Sequence, residues 1–217
     1  MKTLMNKWSR AGAIALAAAG LILGGCATTD VPNASGVASH TLDPSQRGPV
    51  AGVGIEGSDI IAMTDAMMRD MLTNQQLAGK ALAPRVIVDA EYFANESAQP
   101  INKNIITDRL RVNLNRASQG RMVFVGRNYA GMVSAERDLK RQGITDVGTT
   151  GLTKAQAGSD YRLGGRIASL DARNSRSGFQ QRYNQITFEM IDLESGVIVW
   201  SGMYEFSRAG ADDAVYR

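Results

Sequence analysis

Residues 159–207 hold three successive runs that read as strands, the second with apolar and polar side chains in alternation: SDYRLGGRIASLDA, RYNQITFEMIDL and GVIVWSGMYEFS. That pattern limits the fold more than any other feature of the chain. A period of two suits a strand and not a helix. In the middle run Ile186, Phe188 and Met190 alternate with polar residues. The turn Glu194-Ser195-Gly196 joins the second run to the third as a tight hairpin. These residues therefore form a meander with one apolar face, and that face needs covering.

The preceding residues can cover it. DIIAMTDAMMRDMLTN (59–74) places Ile60, Thr64, Met67 and Met71 on one side of a helix, with Met68 and Leu72 beside them. Ser58 stands where an N-cap belongs, and methionines 63, 67, 68 and 71 read as core. RVIVDAEYF (85–93) is β-branched and aromatic, which predicts a strand. In IITDRLRVNLNRAS (105–118), Ile106, Leu110, Leu114 and Ala117 recur at helical spacing, and Gly120 ends the run. MVFVG (122–126) reads as a short buried strand, and NYAGMVSAERDLKRQ (128–142) as a helix closed by Gly143. The order is α-β-α-β-α-β-β-β. A βαβ unit followed by a meander predicts an α/β (α+β) domain over 58–217, with a single mixed β-sheet packed with about three helices.

Residues 26–57 have another character. Pro32, Pro44 and Pro49 lie among many Gly and Ser, with few large apolar residues. Such a composition buries too little surface to offset the entropy of ordering, so it predicts a disordered, flexible tether. The stretch Gly52-Val53-Gly54-Ile55-Glu56-Gly57 is a literal GxGxxG. A dinucleotide site would need a strand before it and an acidic residue on a second strand. A proline-containing linker precedes it here, so it reads as a flexible hinge into the first helix.

Residues 1–25 read as a lipoprotein signal peptide. Lys2, Lys7 and Arg10 make a basic start, Ala11 to Leu23 are small and apolar, and Leu23-Gly24-Gly25 lead into Cys26. The apolar run is shorter than the roughly 20 residues that span a bilayer. Leu-Gly-Gly-Cys resembles a bacterial lipobox, in which the thiol takes a diacylglyceryl group and the new amine is acylated. Cys26 is the only cysteine in the chain, so it has no disulfide partner. Ala27 stands where an Asp would retain such a protein at the inner membrane. Its identity points to the outer membrane, lipid-anchored and facing the periplasm. Removal of the leader also removes three basic residues and no acids. The 24 basic residues of the precursor then fall to 21, against 21 acidic ones. The formal charge of +3 belongs to the leader, and nucleic acid is not expected as a partner.

The chain offers little for catalysis. Its one histidine, His40, lies in the tether, so neither a Ser-His-Asp triad nor a Cys-His pair can form in the domain. No run has metal-ligand spacing, and no cofactor is expected. Arginines are more suggestive: Arg162, Arg166, Arg173, Arg176 and Arg182 face a single acid, Asp171, between 162 and 182. Arg162 and Arg166 share a strand face, and ARNSRSGFQQR would carry the others in a turn. The set reads either as a solvated hairpin or as a patch for an acidic partner surface.

A family resemblance rests on named stretches. They are VIVDAEYFANES, the helix Thr107-Asp108-Arg109-Leu110-Arg111-Val112-Asn113-Leu114, MVFVG, Gly158-Ser159-Asp160-Tyr161, and the closing hairpin from Asp192 to Gly202 with its Gly-x-Ile-x-Trp-Ser-Gly pattern. Together they resemble the penicillin-binding protein activator lipoproteins of LpoB type, from about residue 60 to 207. The resemblance implies an outer-membrane lipoprotein that is not an enzyme. It implies binding to the accessory domain of a bifunctional class A penicillin-binding protein, and stimulation of that enzyme's peptidoglycan synthesis. The tether here is shorter and poorer in proline than in the better-known members. The alternative is a periplasm-facing lipoprotein of the same fold acting as a secretion or envelope-assembly subunit with another partner. A channel subunit would need long lipid-facing hairpins inserted in the domain, and no such insertion is visible.

Lipidation has a direct check. Cells labelled with radioactive palmitate should yield a labelled wild-type band and an unlabelled Cys26→Ser band. Equal labelling of the two would exclude Cys26 as the attachment point.

Overall fold

The computed structural model describes residues 36, 38–148, 151–211 and 214–216. Its elements are α1 (Gly57–Thr73), α2 (Gln75–Ala78), β1 (Arg85–Ile87), β2 (Phe93–Asn95), α3 (Lys103–Ala117), β3 (Val123–Phe124), a 3-10 turn (Arg127–Tyr129), α4 (Ala130–Arg141), β4 (Tyr161–Arg173), β5 (Gln180–Asp192) and β6 (Ile198–Gly210). The strands make one mixed sheet in the order β3-β1-β4-β5-β6, with β2 also on β4. β1 pairs parallel with β3 and β4, and β2 parallel with β4, while β4-β5 and β5-β6 are antiparallel. The expected order of elements holds, with a short α2 added and the strand at 85–93 split in two.

The split has a geometric cause. From Val86 to Phe93 the chain advances seven residues, yet their partners on β4, Tyr161 and Gly165, are four apart. The surplus leaves the ladder as a bend at 88–92 that carries Asp89, Glu91 and Tyr92.

The apolar parity of each strand meets the helices. Tyr161, Leu163 and Ile167 of β4, Ile186, Phe188 and Met190 of β5, and Trp200 of β6 are buried against Met63, Met67 and Met71 of α1 and Ile106, Leu110 and Leu114 of α3. The methionines are thus core, as expected. Trp200 donates its indole N–H to Asp70 Oδ2 at 2.7 Å, which satisfies the one polar atom of a buried ring. Between the helices, Asp65 accepts from Arg109 at 3.3 Å and from Asn113 at 2.9 Å, and Arg109 Nε donates to Thr64 Oγ1 at 3.0 Å. Of the family-like helix motif, Arg109 and Asn113 are thus spent on α1, while Asp108 pairs with Arg111 on the same helix.

The boundary at residue 58 is corrected by the structure. Residues 42–217 form one unit, and the stretch read as a hinge is an ordered strap. Val53 and Ile55 are 1% and 4% exposed. Gln99 brackets Ile55, accepting from its N–H at 2.7 Å and donating to its C=O at 2.9 Å. Asn184 donates to the Val53 carbonyl at 3.2 Å, and Gly54 N–H donates to Tyr216 Oη at 3.1 Å. Arg208 donates to the Gly54 carbonyl at 2.8 Å and to both oxygens of Asp59 at 2.9 and 2.6 Å. Side chains distant in sequence thus supply the hydrogen bonds that the strap cannot make for itself. A Cβ at Gly54 would lie 2.4 Å from Gln99 Oε1 and 2.9 Å from the Tyr216 ring, so the glycine serves close approach. The cap shifts as well: Glu56 is the N-cap of α1, and its N–H donates to Asp59 Oδ2 at 2.8 Å.

A chain beginning at Ser58 should therefore be less stable than one beginning at Leu42. Burial of Val53 and Ile55 is worth about 1.5–3 kcal/mol each, so the loss should reach at least about 3 kcal/mol, read from urea unfolding midpoints. Equal midpoints would show that the strap contributes nothing.

Candidate interaction surface

The outward parity of the meander forms a sheet face turned away from α1 and α3. It carries Arg162, Arg166 and Leu170 of β4, Tyr183, Thr187 and Ile191 of β5, and Ser201, Met203 and Glu205 of β6. Leu170 is 72% and Met203 54% exposed. Such a half-apolar open face is common in antiparallel sheets covered on one side only.

Arg162 is the best-ordered charge on it. Its Nη2 donates to Asp89 Oδ1 and Oδ2 at 3.0 and 2.9 Å and also bonds Glu91, and its guanidinium lies 4.6 Å from the Tyr92 ring centroid. Burial works against its charge, but the bonds to Asp89 and Glu91 outweigh it and raise the pKa. The bend at 88–92 places these partners, because its surplus residues fold over the start of β4. Arg162 is thus already neutralised by its own chain.

The five arginines do not make one patch. Arg162 and Arg166 share the open face, and Arg166 is exposed with no carboxylate partner among the described residues. Arg173 ends β4 and Arg176 sits in the turn, both exposed. Arg182 is on the other face, within β5 and only 7% exposed, donating to Asp171 at 2.6 and 2.8 Å. It belongs to the parity of Ile186 and Phe188, not to the solvated turn that composition suggested. Cys26 lies outside the described residues. The sequence reading also passed over Arg208, Gln99 and Tyr216. Only Asn184, a polar residue on the apolar parity of β5, gave a signal.

The Arg182 bond holds the Asp171 carboxyl below its ordinary value, although burial pushes the other way. A depressed carboxylate stabilises the fold above its unfolded pKa of about 3.9 and loses that contribution as pH falls through its folded value.

Several other polar groups are also bonded within the chain, and among the described residues no three of His, Cys, Asp and Glu gather as metal ligands would. The arrangement is a two-layer α+β fold whose other sheet face is left uncovered among the described residues. Comparison with known proteins makes the assignment specific. The family of the peptidoglycan-synthase activator LpoB matches residues 59–206, from the first turn of α1 into β6. The chain belongs to the LpoB family of peptidoglycan-synthase activators. Among solved structures, the LpoB C-terminal domain from Salmonella enterica is 21% identical, covering 66% of this chain and 94% of that one, with a TM-score of 0.38. The LpoB C-terminal domain from Escherichia coli is 18% identical, covering 67% and 96%, also at 0.38. PelC from Paraburkholderia phytofirmans, a dodecamer, is 20% identical, covering 60% and 75%, at 0.30. No curated protein matches the chain.

The arginines should separate on substitution. Arg173→Ala and Arg176→Ala should each stay within about 0.5 kcal/mol of wild type. Arg182→Ala removes a buried side chain together with its bonds to Asp171 and should cost about 1–3 kcal/mol in urea unfolding. A cost for Arg182→Ala as small as for Arg176→Ala would return it to the solvated set.

Proposed function

We propose that this chain is an outer-membrane lipoprotein that binds a bifunctional class A penicillin-binding protein and stimulates its peptidoglycan synthesis. The observation that carries the reading is the family match over residues 59–206, which takes in most of the folded unit. The protein does no chemistry of its own in this account. Its task is to prefer the active state of the synthase, since a ligand shifts an equilibrium only by its differential affinity. A tenfold stimulation needs only about 1.4 kcal/mol of such preference. The partner element is the synthase's accessory domain, and Arg162, Arg166, Arg173 and Arg176 are candidate contacts. Arg182 acts through the fold.

The lipid sits on Cys26, and the domain faces the periplasm. With the folded unit starting at Leu42, 15 residues lie between it and Cys26. Fully stretched, they reach about 55 Å, so the tether is shorter than composition alone suggested. The domain must therefore meet its partner close to the membrane that holds the anchor.

The purified chain 42–217 should raise the rate of lipid II consumption by the class A synthase of the same organism and consume none alone. Absence of both binding and rate change with every class A synthase of that organism would end the activator reading, while the fold would stand.

A further inference from the structure

β6 is the last strand of the sheet order and is 13 residues long, whereas the opposite edge, β3, has two residues. One side of β6 pairs with β5 from Gln180↔Gly210 to Ile191↔Ile198. On its other side, among the described residues, no hydrogen bond reaches the main chain of 199–210. Such an edge presents a row of N–H and C=O groups to any second strand.

Natural edges of this length are blunted by proline, exposed lysine, bulges or a covering element. The run IVWSGMYEFSRAG contains no proline and no lysine. Its two charges are engaged within the chain: Glu205 accepts from Tyr183 Oη at 2.6 Å, and Arg208 holds Asp59. The only register shift lies at Met190/Ile191, against the very start of β6. Ile198 and Met203 are 50% and 54% exposed.

We propose that β6 is a self-association edge, through which two copies of this chain join by antiparallel β6–β6 pairing about a two-fold axis near Met203. The second copy is favoured over a disordered peptide because its strand is already extended. A peptide would lose backbone freedom at every residue it added. The sequence also suits its own reverse. An axis at Met203, beyond the register shift at the start of β6, sets Trp200 opposite Phe206, Ser201 opposite Glu205, and Gly202 opposite Tyr204. Members of each pair lie on the same face, as antiparallel pairing requires, and no like charges oppose each other. The two sheets become one, and their open faces lie side by side. This inference is independent of the synthase reading.

The test uses chain 42–217, which contains no cysteine. Sedimentation over a concentration series should show a dimer that dissociates on dilution. Met203→Lys sets two ammonium groups against each other at the axis. It should weaken the dimer at least roughly tenfold, with an unchanged urea midpoint because the residue is exposed. Met203→Cys should form a disulfide-linked dimer under mild oxidation, since directly opposed Cβ atoms are about 4.5–5.5 Å apart. Leu170→Cys, on the same face but away from the edge, should not. A wild-type chain that stays monomeric at the highest soluble concentration overturns the proposal. So does a Met203→Lys dimer as tight as wild type, or equal cross-linking at 170 and 203.

Discussion

β4 is bonded on one side by two short parallel strands and on the other by one long antiparallel strand, and both sides meet at Gly165. Its register partners are Phe93 in β2 and Phe188 in β5, whose rings stack with centroids 5.2 Å apart. A Cβ at position 165 would stand 2.8 Å from the Phe93 ring and 2.2 Å from the Thr187 carbonyl oxygen. The missing side chain lets the two rings close over the strand. Such a stack is worth about 0.5–1.5 kcal/mol beyond its burial. Its larger effect is to merge the parallel and antiparallel halves into one apolar layer, flanked by Leu163 and Ile167, so α1 and α3 have a continuous surface to cover.

The periodic parts of this fold were legible in the sequence. Alternation at Ile186, Phe188 and Met190 and helical spacing at Ile106, Leu110 and Leu114 each reported the face that is buried. The strap was not legible, because its order comes from Gln99, Asn184, Arg208 and Tyr216, 44 to 162 residues away. Composition measures what a segment can bury by itself, and proline and glycine answer that question correctly. It does not register hydrogen bonds supplied by other parts of the chain. The arginine set failed for another reason. Local charge density ignores parity, and Arg182 shares the inward parity of Asn184 and Ile186. Counting in twos from Ile186 would have moved it off the surface. The split of the strand at 85–93 depended on the register of β4, which no local pattern encodes.

The meander offers less free charge than its run of arginines suggests. Much of its strong charge is spent internally: Arg162 on Asp89 and Glu91, Arg182 on Asp171, Arg208 on Asp59. Arg166, Arg173 and Arg176 remain outward, beside the exposed Leu170 and, at the turn, Phe179. A partner would meet small patches of mixed character and not a field. Recognition of that kind rests on shape and buried apolar anchors more than on long-range attraction.

The strap also decides where a pull on the chain is felt. A force applied ahead of residue 42 does not arrive first at the end of α1, where a helix would unravel turn by turn. It meets Val53, Gly54 and Ile55, which are tied crosswise to β5, β6, the 95–99 loop and the last residues of the chain. These ties share the load, so the domain is hung from its sheet. Tension that would strip a terminal helix is instead spread across β5 and β6, two of the three 13-residue strands.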